Sequence, residues 1–257
     1  MTKVHVSYMF DGSVARIVLD DGKGNVLDKL MVDDLLEFLT AAKANNNLKL
    51  ITFEGAGKHF SFGASVEEHR KDQAAGMLQG FHKIFYELID LAIPTVAIVS
   101  GQCLGGGLEL ALMCNLLIAD ATARLGQPEI ILGVFPPPAS LLLAEKIGSV
   151  RAEELLISGR TITAVEAQHL GMLNHVAETR QELDDWLSQW ITTHIVPKSA
   201  SSLRFATRAA RTKVNTLLTT YLPELEKTYV HQLMETHDAN EGIQAFLDKR
   251  TPQWTNN

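Results

Sequence analysis

GQCLGGGLELALMCNLLIADATARLGQPE, residues 101 to 129, is the stretch from which the rest of the chain can be read. Ahead of it, Thr95 to Val99 is an apolar run with the composition of a buried strand. Gly105, Gly106 and Gly107 then stand directly before a long apolar segment that carries one carboxylate, Glu109. A second carboxylate, Glu129, closes the stretch behind Gly126, Gln127 and Pro128, where glycine and proline signal a turn able to swing it back toward the first. A buried strand, a glycine turn and a helix start following one another point to an α/β fold.

The flanking sequence repeats this pattern. Val4–Tyr8 and Val14–Leu19, separated by Asp11-Gly12, read as an N-terminal hairpin. Asp28 is placed to cap a helix with Leu30, Met31, Leu35, Leu36 and Leu39 at helical spacing. Leu50–Phe53 is a short buried strand that delivers a small-residue loop, and the chain continues through Phe60-Ser61-Phe62-Gly63-Ala64-Ser65. After a flexible link at Gln73–Gly76, a helix runs through Leu78, Phe81, Ile84, Phe85 and Leu88 and ends before Pro94. Pro136, Pro137 and Pro138 form a rigid bend, and helices follow around Ala139–Ile147, Ala152–Leu156 and Ala164–Leu170. Beyond Val196-Pro197-Lys198 no strand signal remains. The chain thus divides into an α/β core, residues 1–197, and a helical section, 198–257, with too little apolar mass to stand alone. That section is expected to fold over the core or against a neighbouring subunit.

Composition narrows the function. A hydrophobic content of 46% is that of a globular protein, and a net charge of −7 with dispersed Lys and Arg speaks against nucleic acid as a partner. No segment approaches the roughly 18 uninterrupted apolar residues of a membrane span. Two cysteines, Cys103 and Cys114, in apolar surroundings read as reduced thiols, and a cytoplasmic location is expected. His59, His69 and His82 lack metal-ligand spacing and read as solvated; Ser61 and Ser65 lack the GxSxG context of a serine hydrolase.

Three glycines before a helix let backbone N–H groups approach a ligand, and the helix N-terminus adds partial positive charge, so an oxyanion can be held there. Close packing of strand on helix accounts for the same glycines without a ligand. Glu109, among almost wholly apolar neighbours, reads as a buried acid with a raised pKa, or as half of a structural ion pair. Glu129 reads as its partner in acid–base chemistry, or as a loop acid.

The run Leu104-Gly105-Gly106-Gly107-Leu108-Glu109 after Thr95–Val99, together with Gly126-Gln127-Pro128-Glu129, Phe60–Ala64, Ser158-Gly159-Arg160 and the terminal Glu241–Arg250 segment, resembles the enoyl-CoA hydratase/isomerase (crotonase) family over nearly the whole length. The resemblance implies a spiral of ββα repeats with a helical C-terminal trimerisation section, assembled as a homotrimer or a hexamer. It implies an acyl-CoA thioester substrate, no separate cofactor and no metal. By position, the N–H groups of Ala64 and Gly106 are expected to form the oxyanion hole, and Glu109 and Glu129 the catalytic acid pair. Lys58, Phe62, Ala64 and Lys249 are the expected CoA contacts, and Ser65, His69, Phe81, Phe135 and Pro137 the expected acyl pocket. Two departures stand out: Gly63-Ala64-Ser65 where the family has Gly-Ala-Asp, and Val134–Ser140 in place of its Pro-Gly-x-Gly run. The Phe60–His69 segment and the proline run look most like cyclohexa-1,5-diene-1-carbonyl-CoA hydratases. The expected reaction is hydration of a conjugated cyclic dienoyl-CoA in anaerobic aromatic degradation. A general 2-enoyl-CoA hydratase and a non-catalytic acyl-CoA-binding protein are the alternatives.

Overall fold

The hairpin is formed by β1 (Val4–Met9) and β2 (Val14–Leu19), paired antiparallel from Val4 opposite Leu19 to Met9 opposite Val14. The computed structural model describes residues 2–257. Asp28 caps α1 (Lys29–Ala42), its side chain accepting from the Met31 amide. β3 (Leu50–Gly55) lies parallel to β2, α2 (Ala74–Leu91) returns the chain, and β4 (Thr95–Val99) lies parallel to β3. Thr95–Val99 is buried at every residue, as its unbroken apolar run requires of a strand covered on both faces.

From β4 the chain passes through β5 (Gln102–Leu104) into α3 (Gly106–Met113), then β6 (Leu116–Asp120), β7 (Arg124–Gly126) and a 3-10 turn, Pro128–Leu132. α4 (Pro137–Ile147), α5 (Ser149–Ser158), β8 (Thr161–Thr163), α6 (Ala164–His169), β9 (His175–Ala177) and α7 (Arg180–His194) complete the core. The larger sheet runs β1-β2-β3-β4-β6-β9 and the smaller β5-β7-β8. Single bridges, Ser61 to Cys103 and Leu27 to Ala64, extend the smaller layer backward along the chain. From β2 to β7, each turn of the chain therefore lays one strand in the large sheet, a shorter strand or bridge in the second layer, and then helical structure. Equivalent positions of successive turns come to lie side by side.

Several expectations are corrected. Gln73–Gly76 is not a flexible link: helix α2 starts at Ala74, which is fully buried. Pro136–Pro138 is more than a bend. Pro137 and Pro138 are the first residues of α4, where a missing N–H costs nothing because first-turn amides have no helical acceptor. His82 is not solvated; it is fully buried on α2, with its Nδ1 against the Glu226 carboxylate. Helix α7 went unread, although Thr179 and Glu182 form a capping box ahead of Leu183, Leu187 and Ile191.

The C-terminal section comprises α8 (Ala200–Ala210), α9 (Thr212–His231) and α10 (His237–Leu247). α9 packs across α2 and α4, and α10 packs on the 3-10 turn at Pro128–Leu132. Tyr229, Met234, Ala239 and Ile243 share a core cluster there with Ala74, Leu78 and Val134. The section folds over the core, but α8 buries none of its residues fully. Among the described residues no helix is long and apolar enough to cross a membrane. Cys103 and Cys114 are both free and buried, and burial pushes both thiols up.

Candidate active site

β5 ends at Leu104, and Gly105 turns the chain into α3 with φ +50°, a conformation that favours glycine. Space demands glycine as well: a Cβ at Gly105 would stand 2.6 Å from Glu129 Oε1. One turn of the spiral earlier, Gly63, at φ +98°, would set a Cβ 2.8 Å from the Leu104 carbonyl and 3.2 Å from the Gly106 amide. A Cβ on Gly106 would lie 3.1 Å from the Ala64 amide nitrogen, whereas one on Gly107 would strike the Ser61 side chain at 2.7 Å. The two readings of the glycine run therefore hold for different residues. Gly107 packs helix on strand; Gly105 and Gly106 keep backbone and carboxylate close around open space. Neither the Ala64 nor the Gly106 amide has an acceptor among the described residues, and Gly106 is the first residue of α3, where the helix dipole is positive.

Glu109 lies in the first turn of α3 and is buried, with no cation against it among the described residues. Its Oε1 accepts from the Ala139 amide at 2.9 Å. Ala139 follows Pro137 and Pro138 in α4, so it supplies the first N–H of that helix. Burial pushes the Glu109 carboxyl well above its ordinary value, the Glu129 charge pushes it further, and the Ala139 amide partly offsets both. Glu129 sits in the first turn of the Pro128–Leu132 segment. Its side chain is half-buried at the wall of a cavity, and desolvation by the surrounding protein pushes its pKa up to about 8. Gln127 is buried beside it; with its amide nitrogen turned toward the acid, that atom lies 3.1 Å from both Glu129 oxygens.

Both glutamates and both amide-bearing residues line one cavity of about 600 Å³, and Phe62, Ser65, His69, Phe81, Phe135 and Pro137 line it too. The arrangement can hold a developing oxyanion against two N–H groups while two carboxyls exchange protons beside it. The pattern of the enoyl-CoA hydratase/isomerase family matches residues 9–257. The chain belongs to the enoyl-CoA hydratase/isomerase family.

Its relatives in that family agree. It is 43% identical, over 96% of its length and 94% of the other chain, to the cyclohexa-1,5-dienecarbonyl-CoA hydratase of Thauera aromatica. It is 32% identical to the 2,3-dehydroadipyl-CoA hydratase of Escherichia coli, over 90% of both chains. The enoyl-CoA hydratase structure from Bacillus halodurans superposes with a TM-score of 0.86 at 22% identity, covering 95% of this chain and 99% of that one. That likeness is one of fold, the crotonase spiral. This chain is an enzyme of the hydro-lyase, enoyl-CoA hydratase type.

Within the hydratase, the remaining residues singled out from sequence divide into two groups. His69 and Ser65 meet: the imidazole Nδ1 lies 2.7 Å from the Ser65 carbonyl, so it carries the proton, and burial holds the ring below its ordinary pKa. Phe62 is half-exposed at the cavity and edge-on to His59 at 4.9 Å. Lys58 and Lys249 do not line the cavity; both lie on the surface. Two residues that sequence reading missed belong to the site. From sequence Gln127 reads only as part of a turn; its burial beside the acid emerges with the fold. Tyr229, from α9, is 1% exposed and lines the same cavity, and nothing in the sequence near it marks it out. No group of three His, Cys, Asp or Glu side chains able to hold a metal occurs among the described residues.

Proposed function

We propose that this hydratase adds water to a conjugated cyclic dienoyl-CoA, cyclohexa-1,5-diene-1-carbonyl-CoA, giving a hydroxycyclohexene-carbonyl-CoA. The observation that carries the chemistry is the pair Glu109, buried, and Glu129, half-buried, which line one cavity together with Ala64 and Gly106. Two close carboxyls in low dielectric do not both ionise readily, so the pair keeps at least one proton well above the ordinary carboxylate range, and its singly ionised form is the working one. The ionised member takes a proton from water while the protonated member delivers its own to carbon. As the water oxygen bonds to the ring, negative charge moves through the conjugated system to the thioester oxygen, which the Ala64 and Gly106 amides stabilise. One C–O and one C–H bond form, one π bond is lost, and the pair ends with its single proton.

The ring specificity is supported by the identity to the Thauera aromatica enzyme and by the aromatic walls Phe81 and Phe135, with Pro137 and the Ser65–His69 pair closing the acyl end. Phe62 and Ala64 flank the CoA path in this reading, with Lys58 and Lys249 as surface contacts for its phosphates or ribose. A place in anaerobic aromatic degradation, a cytoplasmic location and assembly as a trimer or a pair of trimers complete the proposal. Product analysis on a panel of cyclohexa-1,5-diene-1-carbonyl-CoA and crotonyl-CoA tests it. Preference for the cyclic thioester is expected. Preference for crotonyl-CoA removes the ring specificity, and binding without turnover of either removes the hydratase reading.

A further inference from the structure

The Tyr229 hydroxyl has no hydrogen-bond partner among the described residues, although the residue is 1% exposed. A buried donor left unpaired is costly, and natural cores rarely retain one without a reason. Burying a Phe at this place would avoid that cost, since the ring already has its apolar contact, edge-on to Phe135 at 5.4 Å. The hydroxyl's surroundings supply a reason. Tyr229 lines the same cavity as Glu109 and Glu129 yet bonds to neither, and both are close enough for their charges to act on the phenol. Burial, and to a lesser extent those charges, push its pKa up, so it stays a neutral donor. The cavity wall nearby is poor in other donors: Pro136 and Pro137 have no N–H, and the first free amide of α4, at Ala139, is already bonded to Glu109.

We infer that the Tyr229 hydroxyl is a third polar contact of the reaction, donating a hydrogen bond to the oxygen atom that hydration adds to the substrate. This rests on the hydratase reading of the site. The thioester oxygen belongs beside the Ala64 and Gly106 amides, so the Tyr229 donor serves the other oxygen in the reaction. Water held by an ionised carboxylate has two lone pairs; one attacks carbon, and the other accepts from Tyr229. As the carboxylate removes the water proton, that oxygen gains negative charge, which a neutral donor stabilises without giving up its own proton. After addition the same contact holds the product hydroxyl.

Tyr229→Phe keeps the ring and removes only the donor. The test measures kcat and KM in hydration, on whichever of the cyclic dienoyl-CoA and crotonyl-CoA the wild type converts. It also measures binding of the corresponding hydroxyacyl-CoA and of its deoxy analogue, with a thermal melt as a check on folding. The expected result is a kcat at least tenfold lower with KM within about twofold. Affinity for the hydroxyacyl-CoA should fall at least fivefold while that for the deoxy analogue is unchanged. A kcat within twofold of wild type, equal weakening of both ligands, or failure of the variant to fold overturns the inference in favour of a packing role. Failure of the wild type to hydrate either thioester sinks the hydratase reading instead, and the comparison of the two ligands still decides whether Tyr229 senses a hydroxyl.

Discussion

Glu109 and Glu129 face one cavity from different elements, and each is pushed toward its neutral form by burial. Replacing either by Gln keeps volume and removes a proton carrier, and a loss of about 10²- to 10⁴-fold in kcat is expected, with acyl-CoA binding retained. Steady-state assays of both variants, with binding measured by calorimetry, check this; near-normal rates in both would remove the acid pair from the mechanism. The pH profile follows from the shared proton. The singly ionised pair is the active form, so kcat/KM should be bell-shaped, with limbs displaced upward from the ordinary carboxylate value of 4.5. In Glu129→Gln the like charge is gone, so the remaining titration of Glu109 should move down, though burial keeps it above 4.5. Stability carries the same information. A carboxyl whose folded pKa is raised holds its proton in the folded chain over a window where the unfolded chain has lost it. Its contribution is full below 4.5 and is lost as pH rises through the folded value. Glu109→Gln should therefore gain on the order of 1 kcal/mol at pH 8 and little at pH 5. Melts at the two pH values give the difference directly.

The three glycines at the start of α3 extend the argument to the element, because their neighbours assign them different tasks. Gly107→Ala drives a Cβ into Ser61 and should lower stability by about 1–3 kcal/mol through a shift of α3 away from the second layer. Gly105→Ala meets Glu129 itself and sits at φ +50°, so it should cost activity beyond its cost in stability. Denaturant unfolding and turnover of the two variants separate these effects; equal activity loss per unit of stability lost would mean the glycines share one packing role. This division was only half visible in the sequence. Thr95–Val99 declared a buried strand by its unbroken apolar run, Asp28 declared a cap, and Glu109 declared a buried acid by its neighbours. The smaller layer could not be read, since β5, β7 and β8 have three residues each, too few to show alternation. Nor could the start of α4 at a run of prolines, because the same residues that open a helix also bend a loop. Tyr229 escaped for a different reason: on α9 its period marks it as core, and only tertiary packing brings it beside the acids.

For the whole molecule, the C-terminal helices finish the cavity and also leave a face without a partner. Tyr229, Phe246 and Leu247 line the cavity from α9 and α10, so the C-terminal helices supply part of its wall. α8 behaves otherwise. None of its residues is fully buried, Phe205 is 70% exposed, and Ala206, Ala209 and Ala210 are exposed around it, so Phe205 with Ala209 and Ala206 with Ala210 form an apolar stripe at i, i+4 spacing. Ordering an eleven-residue helix costs conformational entropy that this helix recovers little of within its own chain. Contact with another copy would recover it, and cyclic assembly turns one such contact into a closed ring. Wild-type protein should then sediment as three or six copies of the 28.3 kDa chain. Phe205→Asp places a charge in the centre of that face without touching the cavity. It should shift the sedimenting species toward the single chain and lower the melting temperature, while dilution of the wild type across the same concentrations should not. A wild-type chain that sediments alone, or a Phe205→Asp variant that assembles as wild type does, would leave α8 as a surface helix with no part in assembly.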